Sequence, residues 1–254
     1  SAASDVYKRQ CMSIDIAADT KIALVTGASR GIGLAVAKDL SRDHHVIVGA
    51  TSAESAEKVA SQLPSASVFV ADLGDTDAVN AEVAKLLEAL GGRGLDVLVH
   101  SAGVYVDGDV AEVSRADWSR IMDINVVAVA DLTRQLLPAL RKAEGTLVTI
   151  NSGSGFRASA GTSPYAASKF ALRAFTDALR EEERGAVRVS SVHPGRVDTD
   201  MQVQLQSNWH RDDADWRYDG TKFMRPESIA AAVRLAVDTG ADANVDEIQV
   251  RPRG

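Results

Sequence analysis

The sequence predicts an α/β protein with a doubly wound parallel sheet of about seven strands and helices on both faces. The first observation is that short apolar runs alternate with amphipathic stretches from residue 21 onward. The second is that most of these runs are rich in Val and Ile without polar alternation, as in strands covered on both faces. Repeated alternation of this kind indicates parallel strands joined by right-handed crossovers.

The expected elements follow from these runs in chain order. Strands are predicted at 21–25, 45–49, 66–71, 95–100, 145–150, 187–192 and 246–250. Helices are predicted near 31–42, 53–62, 75–90, 109–143, 164–184 and 226–239. No repeat, low-complexity tract or linker divides the sequence, so residues 12–254 are predicted to form a single domain. The long irregular stretch near 195–226 is expected to be a substrate loop, because such loops are usually lids or binding segments.

Composition excludes several classes of function. The net charge of −7 argues against a general phosphate-backbone binder, so we expect no nucleic-acid partner. No apolar run reaches the roughly 18–20 residues that span a bilayer, and the N-terminus lacks the apolar core of a signal peptide. The single cysteine, Cys11, permits no intrachain disulfide, which favours a reducing compartment. We therefore expect a cytoplasmic protein with no membrane contact.

The first eleven residues, SAASDVYKRQC, are polar, lack periodicity and precede Met12, a plausible start. They are predicted to be a non-native or disordered tail. A back-translation of DVYKRQ resembles a transposon end used in sequencing libraries, which favours a translated cloning artefact. A native disordered tail is the alternative, and the source DNA upstream of Met12 distinguishes the two.

A glycine-rich turn follows the first strand and opens the first helix. Its sequence, VTGASRGIG at 25–33, has the spacing G-x-x-x-G-x-G rather than the usual G-x-G-x-x-G. One glycine allows a tight turn, one lets a pyrophosphate approach the backbone, and one lets helix and strand pack closely. The helix N-terminus offers free N–H groups to the phosphates. The residues predicted to bind a dinucleotide here are Gly27, Ser29, Arg30, Gly31, Ile32 and Gly33.

The end of the second strand favours NADP(H) over NAD(H), which stays possible. A NAD site expects an acidic residue about 20 residues past the glycines, but GATS stands at 49–52. Arg30 can bind the 2′-phosphate, and Thr51 and Ser52 can donate hydroxyls. The competing interpretation is that Arg30 is a solvated charge and that Glu54 reaches the ribose. Asp72 is expected to touch the adenine edge, or alternatively to cap the helix at 75–90.

These pieces belong to a longer ordered pattern. TGASRGIG (26–33) is followed by ADL (71–73), HSAG (100–103), DINV (123–126), Ser152, YAASK (165–169) and HPGRVDTDM (193–201), with Ser152 and Tyr165 spaced by 13. Over roughly residues 20–254 the chain resembles the short-chain dehydrogenase/reductase family, which implies a Rossmann-like fold. One departure is that the family often has Asn-Asn-Ala-Gly where this chain has HSAG, although the Ala-Gly step is kept.

The chemistry of carbonyl reduction explains why Tyr165 and Lys169 stand four residues apart. The reacting oxygen needs a proton, and the spacing puts both side chains on one helical face. A protonated Lys169 is expected to lower the pKa of Tyr165 from about 10 toward working pH. Pro164 suits the first helical position, with Ser163 or Thr162 as cap. Ser152 ends the fifth strand, where its hydroxyl would hold the substrate carbonyl.

The resemblance implies further roles. Asn125 is expected to hold a water that relays protons to Lys169; without the family, an Asn satisfied inside a helix would be the simpler interpretation. His100, His193 and His210 lack ligand spacing, so no metal site is predicted. The catalytic set is Asn125, Ser152, Tyr165 and Lys169, and the remaining residues expected beside the cofactor are Leu73, Ala102, Gly103, Tyr165, Lys169, Pro194, Gly195, Val197 and Thr199.

The predicted function is hydride transfer between NADP(H) and a carbonyl or secondary alcohol, of the small ketone, aldehyde or hydroxy acid class. One alternative is a nucleotide-binding regulator or redox sensor without turnover, but such proteins usually lose the Tyr or the Lys. Another is an NAD-retaining sugar-nucleotide epimerase or dehydratase, which usually carries a longer C-terminal domain. By resemblance, the helices at 109–143 and 164–184 would pair two copies in a homodimer or homotetramer.

Overall fold

One parallel sheet of seven strands forms the centre of the molecule, in the order β3-β2-β1-β4-β5-β6-β7. The computed structural model describes residues 16–210, 213 and 215–253, so the predicted tail at 1–11 lies outside the described residues. The sheet confirms the predicted fold class. Its strands are β1 Lys21–Val25, β2 His44–Ala50, β3 Ala66–Val70, β4 Val97–His100, β5 Thr146–Ile150, β6 Arg188–Pro194 and β7 Glu247–Val250.

Helices cover both faces of this sheet, and the apolar strand residues divide between the two sides. The helices are α1 Gly31–Leu40, α2 Ala53–Ala60, α3 Thr76–Leu90, α4 Arg115–Met122, α5 Ala128–Ala143, α6 Ser163–Glu182, α7 Asp200–Trp209 and α8 Pro226–Asp238. In β1, Ala23 and Val25 join a core with α1, α2 and α8, whereas Ile22 and Leu24 join a core with α3, α5 and α6. Burial on both faces explains why the strand sequences lack polar alternation.

The prediction of a single long helix at 109–143 is wrong. The helical segment begins only at Arg115, because a capping box fixes its start: Asp117 N–H donates to Ser114 Oγ at 3.1 Å, and Ser114 N–H donates to the Asp117 carboxylate at 3.2 Å. It is also interrupted, since a π-helical turn at Asp123–Val127 separates α4 from α5. Turns of this kind are frequent at functional sites.

The stretch 195–226 is more regular than expected, because it contains α7 and a short 3-10 turn at Gly220–Lys222. Thr199 starts α7 as its N-cap, with its hydroxyl oxygen accepting from Gln202 N–H at 3.3 Å. The expected irregular loop is therefore partly a helix that begins beside the carboxyl end of β6.

The strand order creates a crevice at one edge of the sheet. β2 and β3 lie on one side of β1, whereas β4 to β7 lie on the other. Such a switch point leaves an opening at the carboxyl ends of the strands, where open α/β sheets bind ligands. The glycine turn, Ser152 and the Pro194-Gly195 step all lie at or just beyond these ends. In the described part of the chain, no helix is both long and apolar enough to cross a membrane.

Candidate active site

The turn between β1 and α1 is a cradle of close-packed backbone. Gly27 and Gly31 have φ angles of 63° and 54°, a region that glycine adopts without strain. A Cβ on Gly27 would lie 2.7 Å from Ala102 Cα, and one on Gly33 would lie 2.3 Å from the Gly27 carbonyl oxygen. The first N–H groups of α1 have no acceptor within the helix. This cradle fits the pyrophosphate of a dinucleotide.

The predicted neighbours of the cradle hold its shape. Ser29 and Ile32 are half-buried, and Ile32 packs against the core. Thr26 Oγ1 accepts from the N–H groups of Ser101 and Ala102, both at 3.1 Å, which fixes the segment after β4. The Ala102-Gly103 step therefore lies against the glycine turn, as the Gly27 contact also requires.

His100 takes the place of the amide that the family often has here. Its Nε2 is 2.9 Å from Thr133 Oγ1, and the residue is almost fully buried. Burial lowers the pKa of His100 to about 3, so the ring is neutral. The neutral ring therefore has Nε2 paired with Thr133, while Nδ1 is buried with no hydrogen-bond partner among the described residues.

Arg30 in the glycine turn offers a cation, and Thr51 and Ser52 after β2 offer hydroxyls, but Arg30 and Ser52 already have partners. The Arg30 guanidinium is 78% exposed and lies 3.8 Å from the Asp200 carboxylate. Thr51 is exposed. Ser52 caps α2 by accepting from Ser55 N–H at 3.3 Å. Exposed ion pairs contribute little, so Asp200 is a weak competitor for a phosphate at Arg30.

Two carboxylates near this edge have definite places. Glu54 stands in the first turn of α2 and is exposed. Asp72 Oδ1 accepts from Gly74 N–H at 2.9 Å, in the turn after β3. The alternative role of Asp72 as a helix cap is wrong, because Asp75 caps α3 instead. Leu73 packs against the core and orients this turn.

Three predicted catalytic residues meet where β5 ends and α6 begins, namely Ser152, Tyr165 and Lys169. Lys169 Nζ donates to the Ile150 carbonyl at 3.0 Å and lies 5.7 Å from the centre of the Tyr165 ring. The Ser152 side chain lies near the Tyr165 hydroxyl and acts to lower the pKa of that phenol. Pro164 is the second residue of α6 rather than the first as predicted, and Thr162 is the cap residue, without a side-chain cap bond.

The electrostatics of this group differ from the expectation. Burial raises the pKa of Tyr165, and the nearby Ser152 side chain opposes this only in part. Burial also lowers the pKa of Lys169 to about 8. The expected lowering of the Tyr165 pKa by Lys169 is therefore wrong in this structure, because desolvation of the phenolate dominates.

Asn125 lies in the π-helical turn and is fully bonded within the chain. Its Oδ1 accepts from Val104 N–H at 2.9 Å, and its Nδ2 donates to the Val104 carbonyl at 3.0 Å and to Ser168 Oγ at 3.1 Å. A Cβ on Gly103 would lie 3.2 Å from Asn125 Oδ1, so glycine permits this approach. The side chain thus clamps the segment after β4, while the water relay to Lys169 stays a prediction.

His193 is a contact of Ser152 that sequence reasoning missed. Its buried ring has Nδ1 3.2 Å from the Ser152 carbonyl oxygen and Nε2 2.8 Å from Ser191 Oγ. Because a carbonyl only accepts, Nδ1 carries the proton. Burial is the largest influence on the pKa of His193 and lowers it. The ring also lies 4.5 Å from that of Phe156, so it supports the segment after β5 on two sides.

The segment after β6 runs from Pro194 toward the glycine turn. Pro194 ends the strand, and a Cβ on Gly195 would lie 3.1 Å from Pro252 Cδ. Val197 is buried and pairs with Met224 in an isolated bridge. Thr199 reaches the glycine turn, since a Cβ on Gly31 would lie 3.3 Å from Thr199 Cγ2. The cofactor cradle and the start of α7 are therefore in contact.

The sequence profile of the short chain dehydrogenase family matches residues 21–209. An uncharacterised oxidoreductase of Staphylococcus aureus (strain MW2) is 32% identical over 239 residues, covering 91% of this chain and 97% of that protein.

The chain belongs to the short-chain dehydrogenase family.

Two solved structures are similar along nearly the whole chain. An alcohol dehydrogenase from the archaeon Thermococcus sibiricus, complexed with 5-hydroxy-NADP, has a TM-score of 0.80 at 27% identity, covering 92% of this chain and 97% of that one. A short-chain dehydrogenase from Burkholderia cenocepacia J2315, in complex with NADP, has a TM-score of 0.78 at 32% identity, covering 91% and 96%. This short-chain dehydrogenase is therefore an oxidoreductase with the Rossmann-like fold of its relatives.

In the stretch 195–226, aromatic rings lie beside polar and charged side chains. His210 stacks on Trp216 at 4.9 Å and Tyr218 stacks on Phe223 at 5.2 Å, so these aromatic rings pack on one another. Met201 and Trp209 are exposed on α7. Arg211 and Asp212 lie outside the described residues. A cavity of about 300 Å³ here is lined by Arg196, Gln206, His210, Trp216, Arg217, Asp219, Lys222 and Phe223.

Tyr105 is a second site residue that the sequence reasoning missed. Its ring lies 4.9 Å from that of Tyr165, with the planes inclined at 59°. The signal that could have found it is its position two residues after the Ala102-Gly103 step, because residues just past the strand ends line the crevice of such folds.

Proposed function

We propose that this short-chain dehydrogenase transfers a hydride between NADP(H) and a carbonyl or secondary alcohol substrate, with Ser152, Tyr165, Lys169 and Asn125 as its catalytic residues. The observation that carries the proposal is the convergence of Ser152, Tyr165 and Lys169 at the carboxyl edge of the sheet. That edge also holds the glycine cradle, so a bound dinucleotide and a carbonyl would share one crevice.

The cofactor, when bound, supplies or accepts the hydride. The cradle of Gly27, Gly31 and Gly33 would hold its pyrophosphate, with Asp72 at the adenine edge. NADP(H) is favoured because no carboxylate stands at 49–52 and because Arg30 offers an exposed guanidinium for a 2′-phosphate. The solved relatives from Thermococcus sibiricus and Burkholderia cenocepacia are described as complexes of NADP or a derivative of it, which supports the same choice.

The chain's own residues would handle the proton and the charge. Ser152 would hold the carbonyl oxygen, and Tyr165 would donate its proton to that oxygen as the alcohol forms. The raised pKa of Tyr165 keeps it protonated at neutral pH, which suits reduction. Lys169, when charged, would stabilise the phenolate left behind. In the reverse direction Tyr165 must first lose its proton, so alcohol oxidation is expected to require alkaline pH.

The substrate class we propose is a small ketone, aldehyde or hydroxy acid, without a nucleic-acid or membrane partner. We further propose a homodimer or homotetramer in the cytoplasm. Val127 and Phe170, beside α5 and on α6, are 57% and 44% exposed. Large apolar side chains of this kind are suited to a contact between copies.

A turnover screen tests the proposed function. The protein is incubated with NADPH or NADH and a panel of ketones, aldehydes and hydroxy acids, and loss of absorbance of the reduced cofactor is followed. We expect oxidation of NADPH in preference to NADH with at least one carbonyl. Tight binding of NADPH without oxidation by any member of the panel would instead favour a non-catalytic nucleotide sensor.

A further inference from the structure

The segment after β4 holds Tyr105 at a fixed place over the proposed acid. Asn125 binds both the N–H and the carbonyl of Val104, so the backbone immediately before Tyr105 is clamped. Gly108 N–H donates to the Gly161 carbonyl at 2.9 Å, which ties the far end of the segment to the approach of α6. Two fixed ends therefore set the 4.9 Å contact between the rings of Tyr105 and Tyr165.

The hydroxyl of Tyr105 is a buried polar group whose hydrogen-bonding capacity is unsatisfied in the described structure. Its oxygen is shielded from solvent and has no hydrogen-bond partner among the residues that the structure describes. Buried hydroxyls in native proteins are nearly always paired, and a lone one calls for a reason. The neighbouring phenol of Tyr165 is not its partner either, because the Tyr105 hydroxyl has no hydrogen bond to any described residue.

The surroundings of Tyr105 keep its hydroxyl protonated. Burial is the main cause that raises its pKa, and the nearby Asp107 and Tyr165 raise it further. Asp107 itself accepts from Asn208 Nδ2 at 3.2 Å, so this segment is linked to α7 on the opposite wall of the crevice. A phenol that stays protonated has one strong use toward a ligand, which is donation to an oxygen or nitrogen acceptor.

We propose that Tyr105 is a substrate-recognition residue, whose hydroxyl donates a hydrogen bond to a second oxygen of the substrate beside the reacting carbonyl. The inference rests on the proposed function, in which Tyr165 and Ser152 engage the reacting oxygen. The preferred substrates are therefore carbonyl compounds with a second oxygen acceptor one or two carbons away, such as dicarbonyls and hydroxyketones. A simple ketone leaves the Tyr105 hydroxyl unpaired and is disfavoured for that reason.

Matched substrate pairs test this assignment. The reduction of 2,3-butanedione is compared with that of 2-butanone, and of 1,2-cyclohexanedione with cyclohexanone, using saturating NADPH. Tyr105→Phe removes the hydroxyl and keeps the ring on Tyr165. We expect it to lower kcat/KM about tenfold for the diones and to leave the simple ketones within about twofold. Because diones are intrinsically more reactive than simple ketones, the relevant quantity is the ratio of kcat/KM between wild type and variant for each substrate.

Tyr105→Leu serves as the matched control, since it also removes the ring that packs on Tyr165. We expect it to lower kcat/KM for both members of each pair, with NADPH affinity, measured by fluorescence, unchanged in both variants. If Tyr105→Phe changes dione and ketone equally, or neither, the assignment of Tyr105 is overturned and the proposed hydride transfer stands. If wild type binds NADPH but reduces no carbonyl of a wider panel, both are overturned.

Discussion

Replacing Lys169 with Met is expected to stabilise the protein near neutral pH while removing its activity. Burial lowers the pKa of Lys169 from 10.5 to about 8, so the unfolded chain binds more protons than the folded one between these values. The resulting loss of stability is complete below pH 8 and disappears above pH 10.5. At ~1.36 kcal/mol per pKa unit, the charged Lys169 costs about 3 kcal/mol at pH 7 and about 1 kcal/mol at pH 10.

Met removes this cost but leaves the Ile150 carbonyl without the donor that now lies at 3.0 Å. That loss opposes the gain by roughly 1–2 kcal/mol. The variant should therefore exceed wild type by about 1–2 kcal/mol at pH 7 and lose that advantage at pH 10.

Urea unfolding of the cofactor-free protein at pH 7 and pH 10 measures this difference directly. Lys38→Met, on the exposed face of α1, is the control and should differ from wild type by the same small amount at both pH values. If Lys169→Met and wild type differ equally at the two pH values, the lowered pKa of Lys169 is refuted.

Three further outcomes follow from the site. Arg30→Ala should lower kcat/KM for NADPH about tenfold to a hundredfold and leave that for NADH unchanged, because a charged hydrogen bond to the 2′-phosphate is lost; an equal loss with both cofactors would contradict this role. His193→Leu should lower kcat about tenfold at unchanged NADPH affinity, since the Ser152 carbonyl loses its donor. His193→Asn should recover part of the rate because its amide can donate. If His193→Asn recovers none of the rate, His193 contributes only through packing. With wild type, kcat/KM for carbonyl reduction should fall as pH rises through about 8, because Lys169 is charged below this value and neutral above it; a profile flat to pH 10 would exclude a role for that charge.

The sheet and the cradle could be predicted because their signals are local in the sequence. Uninterrupted apolar runs at 21–25 and 145–150 indicate strands buried on both faces, and the structure has strands at both. Gly27 and Gly33 are also a local signal for the cradle, because a Cβ on either residue would collide with neighbouring backbone. The spacing of Tyr165 and Lys169 on one helix needed no knowledge of the rest of the fold.

The rest depended on contacts between distant segments. The start of α7 is an exception, because Thr199 followed three residues later by Gln202 is a local pattern that resembles a capping box. The π-helical turn around Asn125 and the pairing of His193 with the Ser152 carbonyl join residues far apart in the chain. The direction of the Tyr165 pKa depends on burial, which spacing alone does not reveal. Local patterns therefore located the site, and packing decided its electrostatics.

The role of Tyr165 is measured by the effect of Tyr165→Phe on a carbonyl that the wild type reduces. With enzyme saturated by NADPH, we expect kcat to fall by about 10³-fold, because the proton donor is lost, while the Kd for NADPH changes by less than about twofold. Wild-type turnover in that variant would contradict the proposal that Tyr165 delivers the proton to the substrate oxygen.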